Sequence, residues 1–447
     1  LMRSSAASDV YKRQSYTRPD MPLPARLDTL TQDTASIGDL SWWELYNDTT
    51  LQQLIHRALT YNKDLKIASA RMNELAALKR IDFANMFPQA TARLNGNRET
   101  TNYGGDNFDA DPELSLTASI SWELDLWGNL RWARDHSTAE FLASVENCRA
   151  VKIGLVAQVA QSYFELMALD NELAIVRRTL EARREGVRLA EIRFKGGLTS
   201  EIVFQQAKVE LAKTATMVPD LERRISLKES EIALLTGDFP YAVNRNVLPE
   251  EIQLPDALPL GLPSTLLERR PDIRKAEREL MAAHAEVGLA YTNMFPRLAL
   301  TATLGAESET LRDLLKSPYS YLAGNLLSPL FAMGKNRAAL KAKRTAYESA
   351  VAEYEKTVLT AFKETHDAII NFNKIKDIYE SRRQLAEASR TAVELAQLQY
   401  INGVIGYLDL LDAQRNYFDA QVSLSNAVCD KQLMIINLYK ALGGGWK

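Results

Sequence analysis

The chain of 447 residues contains an internal duplication, which strongly limits the folds that it can adopt. The stretch NMFPQATARLNG at 85–96 returns as NMFPRLALTATLG at 293–305, so the shared NMFP is displaced by 208 residues. Gly197 and Gly403, which lie in two further matching stretches, are 206 residues apart. Solenoid units span roughly 20–50 residues, so a unit of about 200 residues is not a solenoid repeat. We therefore expect the two copies to form one closed body.

The chain divides around these two copies. Residues 1–14 show neither the apolar stretch nor the cleavage site of a signal peptide, and we treat them as a non-native scar. Residues rich in Pro, Thr, Asp and Ser predict an extended N-terminal segment over 15–49. The rest comprises repeat 1 (50–240), a linker (241–263) and repeat 2 (264–444).

Each repeat has the same predicted order of elements. Repeat 1 comprises a helix (50–86), a β-hairpin (88–128), a long helix (129–195) and a return helix (199–237). Repeat 2 comprises a helix (264–294, with Ser264 as N-cap), a β-hairpin (296–334), a long helix (335–401) and a return helix (406–442). The Pro of each NMFP disfavours helix at the residue before it, and the chain changes its period there.

Strict alternation of apolar and polar residues identifies the strands of the hairpins. In PELSLTASISWELDLWG at 112–128, one predicted face carries Leu114, Leu116, Ile120 and Trp122, and the other carries Ser, Thr, Glu and Asp. A period of two residues is typical of a strand whose two faces meet different surroundings. Trp122 and Trp127 flank the end of this strand and fit either interfacial anchors or packing inside an equatorial region next to the sheet.

The long helices carry coiled-coil seams. Residues 129–195 contain no Pro, and 67 helical residues extend over about 100 Å. A heptad seam is predicted in each repeat: Leu166, Leu169, Leu173, Val176 and Leu180 in the first, and Leu385, Ala388, Ala392 and Leu395 in the second. A seam of this kind, taken alone, favours a soluble coiled coil.

The strands favour a membrane protein over a soluble coiled coil. Four strands per chain are too few to close a barrel, and a sheet with one apolar face needs a core or a membrane. Three chains supply twelve strands, a number found in outer-membrane barrels. We therefore predict a mixed α/β membrane protein, a trimeric twelve-stranded β-barrel continued by a long α-helical coiled-coil tunnel.

Composition and motifs argue against a nucleic-acid-binding protein, a metalloprotein and an enzyme. The net charge of −3 gives no basic excess for a nucleic-acid partner. Cys148 and Cys429 lie in helical patterns and are expected to be core residues without a disulfide. The four His residues show no zinc-type spacing, and no GxxxxGK[ST] motif is present. We expect no cofactor, no metal and no enzyme activity.

Seven motifs together resemble the TolC-like outer-membrane efflux proteins, and most closely the NodT-type lipoprotein branch that works with resistance-nodulation-division pumps. The resemblance covers about residues 16–446 and rests on these stretches: SYTRPDMP, WWELYNDTTLQQLI, SWELDLWGNLR, GLPSTLLERRPDIRKAERELMAAHAEVG, FPRLALTATLG, GYLDLLDAQR and LYKALGGGW.

This resemblance implies a function and a location. It implies the outer-membrane channel of a tripartite efflux pump, a passive exit duct for drugs and other small molecules. The expected partners are two further copies of the chain, a periplasmic adaptor, an inner-membrane resistance-nodulation-division pump and outer-membrane lipid. The branch carries a lipidated N-terminal cysteine. No Cys precedes Cys148, so we expect that the native N-terminus has been lost or replaced.

The resemblance also implies a gate at the periplasmic tip. The family's aspartate rings fall on Asp409 and Asp412, an apolar constriction on Leu408 and a tyrosine on Tyr400. Rings of Asp favour cations. The alternative interpretation is an ordinary acidic helix N-terminus, which the helix dipole favours.

Two further features of the tip follow from the resemblance. The glycines of the turns, Gly196, Gly197 and Gly403, are expected where an adaptor docks. The Arg–Asp latch of some members is missing, because Ile405 and Val203 occupy its positions.

Three alternative functions fit parts of the sequence. A non-conducting periplasmic tether has no need of a lipid-facing strand, and the alternation argues against it. A duct for type I secretion shares the architecture, although the LYKALGGGW ending favours the pump branch. An enzyme with paired carboxylates lacks a cleft and partner groups.

Overall fold

The structure, a computed structural model, describes residues 16–20, 48–101, 109–245, 267–329 and 331–444. Along the chain the elements are α1 (Thr49–Tyr61), α2 (Lys63–Ala84), β1 (Gln89–Thr101), β2 (Asp109–Leu124), α3 (Asn129–Lys195), α4 (Glu201–Leu235), α5 (Pro271–Thr292), β3 (Arg297–Ser308), a 3₁₀ turn (Leu314–Lys316), β4 (Pro318–Leu327), α6 (Lys335–Ile401) and α7 (Tyr407–Ala441). The predicted scar at 1–14 and the predicted N-cap Ser264 lie outside the described residues, as do most of the N-terminal segment and of the linker.

The helices after the hairpins repeat in length. The long helices α3 and α6 have 67 residues each and occupy the ranges 129–195 and 335–401 that their sequences predict. The return helices α4 and α7 have 35 residues each, slightly shorter at both ends than predicted. The two copies therefore keep equal helix lengths although their side chains have diverged.

The first helix of each repeat differs from its prediction. The range 50–86 is divided at Asn62, whose side chain is buried and donates to the Leu235 carbonyl at 3.0 Å. Its Oδ1 also accepts a hydrogen bond from the Leu65 amide at 2.9 Å, which caps α2. The range 264–294 is also divided: residues 267–269 are helical, Arg270 is not, and the next helix begins at Pro271, because proline fits the first helical position, where no N–H is needed.

The four strands form one antiparallel sheet in the order β1-β2-β3-β4. Its register places Ile120 opposite Ala90 on one side and Ala302 on the other, and Ala302 opposite Leu322. The apolar positions of all four strands therefore share one face. Ile120 on this face is 54% exposed. The polar stretch RETTNYGGDNFDAD at 98–111 predicts the loop of this hairpin, and β1 and β2 extend into it at both ends.

The chain divides into two compact units. The first contains the sheet, with residues 70–146 and 274–357, and the second contains residues 147–273 and 358–447 among its segments. The second unit holds the main hydrophobic core, whose largest fully buried members include Tyr163, Leu166 and Leu438. Among the described residues, no helix has the length and apolar character needed to cross a bilayer.

One predicted seam is confirmed and the other is wrong. All five residues of the first seam, Leu166 to Leu180, are buried. In α6 the seam lies one position further along: Ala386 is 7% exposed and Ser389 and Ala396 are also buried, whereas Leu385 is 53% exposed. Both stripes have heptad spacing, and within the chain α6 buries the stripe of small residues.

The two cysteines differ in burial, which predicts their reactivity. Burial raises the pKa of Cys429 to about 12, and its thiol donates to the Phe164 carbonyl at 3.6 Å. Because the thiolate is the reactive species, we expect maleimide at pH 8 to leave Cys429 unmodified in a folded Cys148→Ser chain and to modify it after denaturation. Mass spectrometry of both samples checks this. Equal labelling rates in the two samples would contradict the packing described for α7.

Candidate functional site at the tip turns

Two glycine turns join the long helices to the return helices, and we call them the tip turns. Gly197 in the first and Gly403 in the second have φ of +71° and +77°. In the second turn the Gly403 amide donates to the Tyr400 carbonyl at 3.1 Å and the Val404 amide to the Gln399 carbonyl at 2.9 Å. This pattern ends a helix at a left-handed residue, which favours glycine. Gly196, before Gly197, is also exposed.

The start of α7 has a buried face and an exposed face, and both carry leucine side chains. Leu410 and Leu411 are buried, whereas Leu408, Asp409 and Asp412 are exposed. The two carboxylates and Leu408 therefore lie outside the packed face of the helix, as the gate prediction requires. Because they are exposed, they are available to a neighbouring molecule.

Both carboxylates also have local partners. The Asp409 carboxylate accepts a hydrogen bond from the Gly406 amide at 3.0 Å, which caps the N-terminus of α7. The Asp412 carboxylate accepts one from the Asn416 side-chain amide at 3.2 Å. The capping role proposed by the alternative interpretation is thus present for Asp409, and it leaves the second carboxylate oxygen of Asp409 free for another role.

Tyr400 connects the two repeats. The guanidinium carbon of Arg193, near the end of α3, lies 4.7 Å from the centre of the Tyr400 ring. The ring of Tyr407, at the start of α7, lies 5.8 Å from the same ring. A cation over an aromatic face is attracted to the ring, so this contact holds the end of α6 beside the end of α3.

An ion cluster that the sequence did not predict lies behind the exposed gate residues. The carboxylate of Glu210 on α4 accepts from Arg415 on α7 and pairs with Arg183 on α3 at 3.0 Å. Hydrogen bonding from Arg415 lowers the pKa of Glu210. We call these three residues the Glu210 triad. Arg415 belongs to the GYLDLLDAQR motif, but nothing in that motif indicates a partner 205 positions earlier in the chain.

Ile405 and Val203, at the latch positions, are half-buried apolar residues. Within the described ranges, no cluster of three or more His, Cys, Asp or Glu residues could hold a metal ion. Trp127 stacks on Phe295 with ring centres 4.9 Å apart, so it packs between β2 and the start of β3.

Comparison with known proteins gives the same class as the fold. Residues 54–238 and 262–444 match the family described as Outer membrane efflux protein. The solvent efflux pump outer membrane protein SrpC of Pseudomonas putida is 34% identical over 90% of this chain and 87% of its own length. The outer membrane protein OprJ of Pseudomonas aeruginosa is 32% identical over 97% of this chain and 92% of its own length.

Solved structures share the fold. The open-state crystal structure of the Neisseria gonorrhoeae MtrE outer membrane channel superposes with a TM-score of 0.83 and 28% identity, over 97% of this chain and 98% of that one. The chain therefore belongs to the outer membrane efflux protein family. It is the outer-membrane component of an efflux pump and serves as an exit duct.

The positive φ of Gly403 predicts the effect of adding one methyl group. Gly403→Ala should strain the turn by about 1–2 kcal/mol because a left-handed backbone is unfavourable for L-residues. We expect hydrogen exchange at the Gly403 and Val404 amides to accelerate roughly 5- to 30-fold. The matched control is Gly406→Ala, where φ is −76° and alanine is sterically allowed. Similar acceleration in both variants would contradict the turn geometry.

Proposed function

We propose that three copies of this chain form one twelve-stranded β-barrel in the outer membrane and one continuous duct. The observation that carries this proposal is the continuous apolar face of the sheet, formed in register by all four strands. Within the described parts of the chain, strands β1 and β4 each have one neighbour, so each leaves an open edge. In hydrocarbon such edges have to be paired, and twelve strands lie within the range of outer-membrane barrels.

The faces of the sheet then have different surroundings. Leu114, Leu116, Ile120 and Trp122 on β2 face lipid. The opposite face carries hydroxyl groups, among them the Ser119 and Thr303 side chains, which hydrogen-bond at 2.9 Å. A polar face of this kind lines a water-filled lumen.

The duct conducts passively and depends on other proteins for energy. We infer that an inner-membrane pump drives transport and that a periplasmic adaptor docks at the tip turns around Gly196, Gly197 and Gly403. Support comes from the exposed apolar side chains of these turns, Leu198 and Val404. The related proteins are named for solvent efflux and for antibiotic efflux, so we propose small, largely apolar compounds as the cargo.

The tip of the trimer carries the gate. Threefold symmetry places three copies of Leu408, Asp409 and Asp412 around one axis. Close carboxylates repel one another, and rings of them attract cations. Tyr400 holds the adjoining helix end through its contact with Arg193. The copy-one positions at the same offset are Val203 and Gln206, so each ring contains three carboxylates rather than six.

Single-channel recording in planar bilayers tests the gate. We expect an Asp409→Ala/Asp412→Ala channel to show larger or more frequent openings and a weaker preference for cations than the original chain. The matched control is Val203→Ala/Gln206→Ala, which truncates the copy-one positions and should leave both properties unchanged. Unchanged conductance in the aspartate variant would move the gate to other residues. An inserted trimer without conductance in any variant would favour a tether.

The lipid face is tested by two neighbouring substitutions on β2. Ile120→Arg should destabilise the inserted trimer by about 2–4 kcal/mol because it places a charge in hydrocarbon. Ser121→Arg, on the opposite face, should assemble normally because it meets water. Heat-modifiable migration of the trimer in outer-membrane fractions measures both. Equal assembly of the two variants would contradict the proposed orientation of the sheet.

A further inference from the structure

We propose that a cavity below the sheet binds a phospholipid of the periplasmic leaflet, whose phosphate group is held by Arg278. This inference rests on the orientation of the sheet proposed above, because that orientation places the cavity at the surface of the bilayer. It adds a bound lipid to the proposed duct.

The cavity lies where the strands meet the helices. It has a volume of about 970 Å³ and is bounded by the start of α3 and the end of α5. Its wall includes Leu126 and Trp127, which follow β2, and Phe295, which precedes β3. Leu124 at the end of β2 pairs with Leu298 at the start of β3, so these ends lie at one level. In the proposed barrel this level is the periplasmic surface of the membrane.

The wall of the cavity belongs to a single chain. Helix α3 follows β2 and α5 precedes β3, and these strands are the two inner strands of the sheet. Further copies join at β1 and β4 in the proposed trimer, away from this wall. We therefore expect one lipid per chain.

Aromatic rings form the part of the wall that is nearest to the sheet. The Trp127 and Phe295 rings stack with centres 4.9 Å apart, and the Tyr291 ring lies 5.2 Å from that of Phe295. Trp127 Nε1 donates to the Pro296 carbonyl at 2.8 Å, which orients the ring, and the side chain remains exposed. Exposed Trp and Tyr rings are typical of the level where lipid headgroups meet acyl chains.

Trp132 and His284 form a second part of the wall. Their ring centres lie 5.6 Å apart, and the Tyr16 ring lies 6.4 Å from that of His284. Trp132 packs against Gly288, where an added Cβ would lie 2.4 Å from the ring. Burial lowers the pKa of His284, so its imidazole is uncharged at neutral pH. This part of the wall therefore offers rings but no cation.

Arg278 supplies the charge that a phosphate group requires. Its Nη1 donates to the Met281 sulfur at 3.3 Å, and a thioether is a weak acceptor. Among the residues that the structure describes, Arg278 has no carboxylate partner. The other charged groups of the wall are already paired: Arg131 with Asp125 at 2.8 Å, and Asp135 with Arg134 at 2.6 Å. Arg278 is thus the guanidinium that an anionic ligand can use.

The combination of rings and one unpaired charge favours a phospholipid over simpler ligands. An uncharged apolar compound would leave the Arg278 charge without a partner beside the rings. Inorganic phosphate would pair with Arg278 but would leave the rings in contact with water. A guanidinium binds phosphate through two parallel hydrogen bonds, and acyl chains cover aromatic rings. A phospholipid meets both requirements at this depth in the membrane.

Native mass spectrometry of full-length trimers in detergent tests the site, with phosphatidylglycerol as the probe. We expect the original trimer to retain one phosphatidylglycerol per chain. Arg278→Gln should weaken this binding at least tenfold because it removes the charged donor, and Arg278→Lys should restore part of it. The matched control is Arg297→Gln, which removes an exposed guanidinium at the start of β3, outside the wall. It should bind the lipid like the original chain.

Brominated acyl chains test where the lipid lies. Phosphatidylglycerol with such chains should quench the fluorescence of Trp127 and Trp132, two of the six tryptophans. The quenched part of the signal should disappear in Trp127→Phe/Trp132→Phe. Arg278→Gln should need at least tenfold more lipid for the same quenching. Thr138→Phe enlarges a side chain of the wall and should weaken binding without removing a charge.

Melting temperatures separate binding from folding. Without lipid, Arg278→Gln should melt at the temperature of the original chain. Added phosphatidylglycerol should stabilise the original chain and Arg297→Gln more than Arg278→Gln, because a ligand that binds the folded state stabilises it.

Other outcomes would overturn the lipid site. Unchanged binding in Arg278→Gln, or an equal loss in Arg297→Gln, would mean a general attraction of headgroups to the protein surface. Equally tight binding of diacylglycerol with the same acyl chains would mean an apolar cavity that does not recognise phosphate. Release of the lipid by an equal concentration of inorganic phosphate would mean a simple anion site.

Failure of the lipid site is distinguishable from failure of the duct. If trimers conduct in planar bilayers but retain no phosphatidylglycerol, the lipid site is wrong and the duct stands. If trimers retain the lipid through Arg278 but do not conduct in any variant, the duct is wrong and the lipid site stands.

Discussion

The open edges of a four-stranded amphipathic sheet impose the main constraint on this protein. Among the described strands, β1 and β4 each pair on one side only, and the apolar face that they flank is exposed in the single chain. Water can satisfy the edges but not the apolar face, whereas hydrocarbon can satisfy the face but not the edges. Closure with further copies of the chain meets both demands. In the proposed trimer, three copies of the start of α7 surround one axis, and the proposed gate depends on that symmetry.

The two repeats share the same order and lengths of helices, but they differ in the residues near the tip turns. Both repeats retain a glycine with positive φ at the turn between the long helix and the return helix. After that turn they differ: one copy carries Asp409 and Asp412, and the other carries Glu210, which anchors Arg415. In the proposed gate the two repeats thus contribute different side chains to one site.

Much of the fold was predictable because periodicity reports local structure well. The absence of proline over 129–195 and the alternation over 112–128 identified a long helix and a strand that the structure contains. Asn62 was missed because a single polar residue inside a helical pattern does not reveal that its side chain caps the next helix. The seam of α6 was misplaced because two stripes with the same spacing compete, and burial depends on which neighbours a helix has. The Glu210 triad joins residues 205 positions apart, a relation that only the folded chain defines.

The equal lengths of the paired helices have a consequence for how such a chain can change. Inserting one residue into α3 or α6 rotates everything beyond it by about 100°, which would move the tip residues to another face. Substitutions can therefore accumulate in these helices, whereas insertions and deletions cannot. Between the NMFP motifs and the long helices, the displacement between copies changes from 208 to 206 residues. This change of two residues falls in the hairpin, where a strand's side chains alternate with a period of two, so the apolar positions of both hairpins still share one face of the sheet.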